Sequence, residues 1–269
     1  FQFIGGIWSG SLSLLADAIH NLSDAASLGI ALFARKISFK PADEAKTFGY
    51  QRAEIIAALI NITLLITISL YLIYEAFWRI IEPQVITGSI IIFVASIALT
   101  IDIITALITF NKSKNNMNMK AVFLHNLSDA LSSMAVIIGG ILIFVYKIYW
   151  IDTALTFLVA GLILWYAIKL LPKTIHLLME GSPDSIVPND IKESIKKIGG
   201  IQDVHHIHIW HLDESRIAME AHVVVTANDL SEVESIKEKI KNLLNNNFNI
   251  VHSTLEFEHH KDSKCEDNN

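Results

Sequence analysis

The 269-residue chain reads as a multi-span α-helical membrane bundle followed by a small α+β domain. Three observations lead there. Long apolar runs are confined to residues 1–180, while 181–269 have ordinary soluble composition with dense Lys, Glu, Asp and His. Charged residues make up only 18% of the chain, against roughly 25% in a soluble protein. The string HNLSDA occurs twice inside the apolar part, at 20–25 and 125–130. A net charge of −6 without a basic stripe argues against a nucleic-acid partner. One cysteine, Cys265 in a polar tail, leaves no disulfide framework and no cysteine zinc cluster.

A bilayer core of about 30 Å needs roughly 20 mostly apolar helical residues. Five segments qualify, at about 11–34, 52–78, 85–110, 119–146 and 151–171. The opening FQFIGGIWSG reads as the end of one more apolar segment, with 1–7 its remnant. The expected bundle is therefore of six-helix type with the first helix largely missing, and HNLSDA falls on the second and fifth helices. Arg35, Lys36, Lys40, Lys46 and Arg52 crowd one loop, Lys112, Lys114 and Lys120 another, and Lys169 and Lys173 follow the last span. Alternate loops hold little beyond Arg79 and Lys147. The positive-inside bias makes the basic loops, and the C-terminal domain with them, cytoplasmic.

In that domain IVPNDIKESIKKIGG has helical period and stops at Gly199-Gly200, while DVHHIHIWHLD and RIAMEAHVVVTA are strand-like. LSEVESIKEKIKNLLNN is an amphipathic helix with Ser231 as its N-cap, and NIVHSTLEFE is a third strand. The order αββαβ suits one sheet backed by two helices. The division is 1–180 for the membrane part, 181–258 for the α+β domain, and 259–269 for a disordered tail with His259, His260 and Cys265.

In each HNLSDA the His and Asp are four residues apart, so they share one helix face. If the two helices face each other, His20, Asp24, His125 and Asp129 make an N2O2 cage suited to Zn²⁺. Two carboxylates neutralise the ion, whereas each Asp alone in a bilayer would cost about 3 kcal/mol. Asn21, Ser23, Asn126 and Ser128 read as packing and polar-glue residues that support the site, with Asn21 and Asn126 also placed to orient ligands. Asp17 reads as a supporting or packing partner. Asp102 either lines an ion path or makes an interhelical hydrogen bond. Asp152 reads as the N-cap of its own helix.

SGSLSLLADAIHNLSDA, TFGYQRAE, NMKAVFLHNLSDALSS, LLMEGSP, VHHIHIW, MEAHVVV and VHSTLEFE together resemble the cation diffusion facilitator family across residues 1–258. The resemblance implies six transmembrane helices, a cytosolic ferredoxin-like domain, and a homodimer in the cell (plasma or inner) membrane that exports divalent metal in exchange for protons. It puts the transport site on His20, Asp24, His125 and Asp129, with Zn²⁺ the leading cargo and Co²⁺ or Cd²⁺ beside it. It puts a cytosolic metal site on His205, His222, His252 and Glu258, and a charge interlock on Arg52 and Glu180. A further family histidine falls near Ile236, so a single ion is expected there. A loop site used by some members matches Asp43, Lys46 and Tyr50, which do not make an imidazole set. His206, His208 and His211 are read as surface or dimer-contact residues. Strand alternation puts 205 and 211 on one face and 206 and 208 on the other. No enzyme chemistry and no cofactor other than the bound or transported metal are expected. The rival readings are a membrane-embedded metalloenzyme and a metal sensor without transport.

Overall fold

The computed structural model describes residues 1–113, 117–213, 215–227 and 229–259, with side chains at all of these except 111–113, 117, 118, 120 and 121. The loop charges at Lys112, Lys114 and Lys120, and the tail from His260 through Cys265 to the end, fall outside what is described. The elements run α1 (Gln2–Ser9), α2 (Leu12–Ser38), α3 (Ala53–Ile81), α4 (Gly88–Ser113), α5 (Met117–Tyr146), α6 (Trp150–Leu178), α7 (Pro188–Lys196), β1 (Ile201–His211), β2 (Ile217–Val225), α8 (Leu230–Phe248) and β3 (Ile250–His259). The chain forms two compact units, one of Phe1–Ile30 with Ile60–Leu171, the other of Ala31–Leu59 with the residues from Pro172 onward.

In the first unit, Gly10 turns left-handed at φ 72° to end α1, and α2 begins two residues later. The free N–H groups of that first turn are capped by Asp152, which belongs to the first turn of α6. Its Oδ2 accepts the Leu12 N–H at 2.8 Å, and its Oδ1 accepts the Ser13 hydroxyl at 2.6 Å and the Ser11 hydroxyl at 2.5 Å. Asp152 is fully buried. It therefore caps another helix rather than its own, which corrects the sequence expectation. Arg79 stands close by, donating to the Gly10 carbonyl with Nη1 3.9 Å from Asp152 Oδ2.

Four helices are long and apolar enough to cross a membrane among the described residues: α3, Gly88–Phe110 of α4, Val122–Tyr146 of α5, and α6. The sequence reading counted five. The difference is α2, whose 27 residues suffice in length but carry Asp17, His20, Asp24, Arg35 and Lys36. Leu14, Ile91, Val94, Ala95, Val136 and Ile143 build one buried cluster, and Leu12, Ala16, Leu72, Ala76, Val159 and Ala160 another. Phe93, Leu107, Ile138, Leu162 and Trp165 are exposed on the outer faces, a distribution that suits lipid. Where α4 starts beside α5 there is no room for a side chain. A Cβ on Gly88 would sit 2.7 Å from the Gly140 carbonyl oxygen and 2.8 Å from the Phe144 nitrogen.

The sheet of the second unit has strand order β1-β2-β3, antiparallel then parallel. The ferredoxin-like core lies where Ile191 and Ile195 of α7 and Ile236, Ile240 and Leu244 of α8 meet Val204, Met219, Ala221 and Val223. Ile236, Ile240 and Leu244 recur every four residues, so one stripe of α8 covers the sheet. Asp229, not Ser231, occupies the N-cap of α8, and the Ser231 hydroxyl bonds the Asp229 carboxylate. Between β1 and β2, Asp213 organises the turn, its Oδ1 accepting the N–H groups of Ser215 and Arg216 at 2.8 Å each and its Oδ2 the Arg216 Nε at 2.6 Å. Burial works against ionisation of Asp213, but the Ser215 and Arg216 donors outweigh it and hold the carboxyl below its ordinary value.

The β1–β2 register slips twice, between Ile201 and Asp203 and again between His205 and His208. His205 opposes His222, a pairing that continued regularly would bring His208 opposite Met219; instead His208 opposes Glu220. The extra residue is absorbed at His206, which has φ 50°. A bulge of this kind turns two consecutive side chains to one face. His205, His206 and His208 all end on the face away from α7 and α8, which overturns the expected alternation.

Two outcomes follow. Gly88→Ala should lower the detergent melting temperature of the purified protein, by the equivalent of about 1–3 kcal/mol, because the clashing atoms are backbone. Asp213 has a folded pKa below its unfolded one, so its stabilisation is complete above about pH 4 and is lost as pH falls through the folded value. Asp213→Asn should reduce stability near neutrality and flatten the acid limb, as read by melts between pH 7 and 3.

Candidate metal centres

Both HNLSDA strings are helical, one on α2 and one on α5. The i, i+4 spacing turns each His and Asp to one face, and the two faces meet. His20 Nε2 lies 3.6 Å from Asp24 Oδ2 and 3.4 Å from Asp129 Oδ1. His125 Nε2 lies 3.2 Å from Asp24 Oδ2 and 3.6 Å from Asp129 Oδ2. Four donors around one ion at about 2.0–2.1 Å are spaced by about 3.4 Å in a tetrahedron. Each His–Asp contact is thus close to one tetrahedral edge, Asp129 meeting His20 through Oδ1 and His125 through Oδ2, and His20, Asp24 and Asp129 bring one ligand atom each within 4.8 Å of one another. The two rings meet edge to face at 6.1 Å.

One turn along α5 from Asp129, a polar layer joins four helices. Asp17 of α2 accepts the Gln2 amide of α1 at 2.8 Å and the Ser132 hydroxyl of α5 at 3.1 Å. Ser133 donates to Asp102 of α4 at 2.9 Å, and its oxygen also lies 3.5 Å from Asp17. Asp17 is a packing partner and Asp102 makes the interhelical bond, each one of the alternatives read from sequence. The flanking polar residues take the packing role, one of the two read from sequence. Asn21 donates to Gln2 at 3.1 Å, Ser128 returns its hydroxyl to the Leu124 carbonyl of its own helix at 3.0 Å, and the Ser23 carbonyl accepts the Ser27 hydroxyl. These bonds serve packing and the local helix, with none going to a ligand. Ser132 and Ser133 lay beyond the repeat, and the seryl pair one turn after Asp129 was the signal available for them.

In the cytosolic domain His205, His222 and Glu258 bring one ligand atom each within 4.8 Å of one another. His205 Nε2 and Glu258 Oε2 are buried, lack hydrogen-bond partners and lie 3.6 Å apart. Two orphaned lone-pair atoms at a tetrahedral edge fit a shared cation. His222 Nδ1 lies 2.7 Å from Glu258 Oε1, and its Nε2 3.5 Å from Glu256 Oε2. His252 is elsewhere. The parallel register sets it opposite Ala218 while Glu258 is opposite Val224, about 20 Å along the strand. Its ring packs edge-on to Phe48 at 5.5 Å. The sequence reading thus took the wrong residue of β3, and Glu256, opposite His222 in the register, is the neighbour it missed.

At the loop before α3, Asp43 accepts the Tyr50 hydroxyl at 2.6 Å and the Ala45 and Lys46 N–H groups at 2.9 and 2.7 Å. The tyrosine first, then the backbone donors, hold its carboxyl below the usual range. Arg52 Nη2 and Glu180 Oε1 lie 3.0 Å apart, with Glu180 exposed and Arg52 half-buried. Glu180 takes φ 60° after α6 and Gly181 follows beneath His176, where any Cβ would meet the imidazole. His176 Nε2 in turn lies 2.9 Å from the Ser182 carbonyl oxygen. This turn accounts for the run MEGSP.

Apolar helices of membrane-spanning length and separate clusters of side chains able to hold a metal ion point to a multi-pass membrane protein that handles divalent metal. Residues 1–179 match the cation efflux transmembrane domain, and residues 183–260 the cytoplasmic domain of cation efflux proteins. The chain belongs to the cation efflux family, and its C-terminal domain is cytoplasmic. It is 41% identical over 262 residues to the cadmium, cobalt and zinc/H(+)-K(+) antiporter of Bacillus velezensis, covering 96% of this chain and 83% of that protein. It is 34% identical to the metal cation efflux system protein CzcD of Cupriavidus metallidurans, covering 96% and 81%, and 32% identical to the zinc transporter ZitB of Escherichia coli, covering 96% and 82%. A solved metal-bound C-terminal domain of CzcD is 29% identical over 27% of this chain and 99% of that one, with a TM-score of 0.25. The family is one of transporters, which removes the metalloenzyme reading.

Glu258→Gln should weaken metal binding at the cytosolic cluster by more than the roughly 10–100-fold that loss of an outer partner costs. His252→Ala should leave it unchanged. Equilibrium dialysis against Zn²⁺ with the full chain checks both.

Proposed function

We propose that this protein exports divalent metal from the cytosol, Zn²⁺ foremost with Co²⁺ and Cd²⁺ beside it, in exchange for protons and by alternating access. The observation that carries the reading is the ring of His20, Asp24, Asp129 and His125, whose four His–Asp contacts run from 3.2 to 3.6 Å. Two imidazole nitrogens and two carboxylate oxygens favour a borderline ion over Mg²⁺ or Ca²⁺, which take oxygen sets. The pair of carboxylates cancels the cation's charge in surroundings that penalise it.

Protons compete for the same lone pairs. A free imidazole titrates near pH 6.5, and a ligand must be unprotonated to bind. Metal therefore loads from a near-neutral cytosol and leaves when His20 or His125 takes a proton on the other side. The B. velezensis relative is named for metal exchange with both protons and potassium. Proton exchange is the part that this site's chemistry supports.

In this reading residues 1–180 carry the ion. Residues 181–258 form the homodimer and hold a regulatory cation through His205, His222 and Glu258, with Glu256 beside His222. The Arg52–Glu180 pair latches the start of α3 to the chain that leaves α6.

Reconstituted into liposomes, the wild type should move Zn²⁺ in response to an imposed pH gradient, and Asp129→Ala should reduce flux to background. Flux indifferent to the pH gradient would remove proton coupling. Equal flux in wild type and variant would remove the cage as the transport site, and no flux from the wild type would favour a sensor.

A further inference from the structure

We propose that His206, His208 and Glu220 form a second divalent-cation site on the cytoplasmic domain, open to solvent and separate from the His205–His222–Glu258 cluster. It goes beyond the transport reading and holds whether or not the membrane cage moves metal. Each of the three offers one ligand atom, and these atoms all lie within 4.8 Å of one another. The placement follows from the bulge. His206 and His208 are two residues apart on one strand face, and the register slip brings Glu220 opposite His208 in place of the buried, non-ligating Met219. Directly opposed side chains in an antiparallel pair have Cβ atoms about 5 Å apart, close enough for a carboxylate and an imidazole to share an ion. The His206 and His208 rings are 4.7 Å apart and nearly perpendicular at 81°.

The chemistry names the ligand class. Two imidazoles and one carboxylate suit Zn²⁺, Co²⁺ or Cd²⁺ rather than an oxygen-seeking cation. All three residues are exposed, so water completes the coordination and the ion exchanges readily. One carboxylate cancels only half of the charge. His206 also stands 4.9 Å, ring to ring, from His222 of the buried cluster, so a second cation binds against the repulsion of the first. The open site is therefore the weaker one and fills at higher metal concentration. A domain built in this way registers two levels of cytosolic metal.

Co²⁺ serves as a spectroscopic probe, titrated into the full chain in detergent with Asp24→Ala and Asp129→Ala silencing the membrane cage. Two Co²⁺ per chain are expected, in a tight step and a weaker one. His208→Ala with Glu220→Gln should remove the weaker step and retain the tight one, which also reports that the domain is folded. His206→Gly should remove the weaker step while preserving or raising the melting temperature, since glycine tolerates a φ of 50°. A single Co²⁺ per chain in the cage-silenced protein, or two steps persisting in the His208/Glu220 variant, would overturn the proposal. So would loss of both steps together.

Discussion

A carboxylate in the membrane must find its donors or counter-charges on another helix, and that requirement organises the whole bundle. Asp152 on α6 receives the first turn of α2. Asp17 on α2 gathers Gln2 of α1 and Ser132 of α5, and Asp102 on α4 takes Ser133. Asp24 and Asp129 each face the histidine of the opposite helix. Apolar side chains fill the space between helices, but they do so without direction. The carboxylates have direction, and each unsatisfied one would cost several kcal/mol in hydrocarbon. They fix which helices are neighbours and at what height.

The cage and the polar layer beside it divide the chemistry between them. Of the two, the cage supplies the imidazole nitrogens, and the adjoining layer is oxygen with one amide. In the proposed reading a borderline metal ion settles at the cage, and the layer next to it holds α1, α2, α4 and α5 in register. The cytosolic domain uses another device for the same end. There a single extra residue in β1 sorts four histidines of two adjacent strands onto one face, where alternation would have divided them.

What was legible in the sequence was whatever depends on local periodicity. The i, i+4 spacing of His20 with Asp24 and His125 with Asp129 placed the ligands on helix faces, and the αββαβ order was plain from composition and turn residues. What escaped depends on contacts remote in sequence. Asp152 looks like an N-cap of its own helix because it begins one; the first turn of α2 that it serves is 140 residues away. His252 and Glu256 differ in no local property that marks one as the metal-side residue, and the parallel register of β3 on β2 decides between them. The bulge rests on one positive φ at a histidine, a conformation that no residue pattern announces.

The cap on α2 has a mechanical meaning. α2 carries His20 and Asp24, half of the cage, and its first turn is bolted to α6 through several buried hydrogen bonds. Breaking them would strand a carboxylate in a water-free interior, a far larger penalty than bending elsewhere. Any tilt of α2 that parts His20 from Asp129 therefore turns about its N-terminal end, as a lever about a fulcrum. A ligand 12 residues up the helix, such as Asp24, sits about 18 Å along that lever. A rotation of only 10° there displaces the carboxylate by about 3 Å, enough to dismantle a tetrahedral shell.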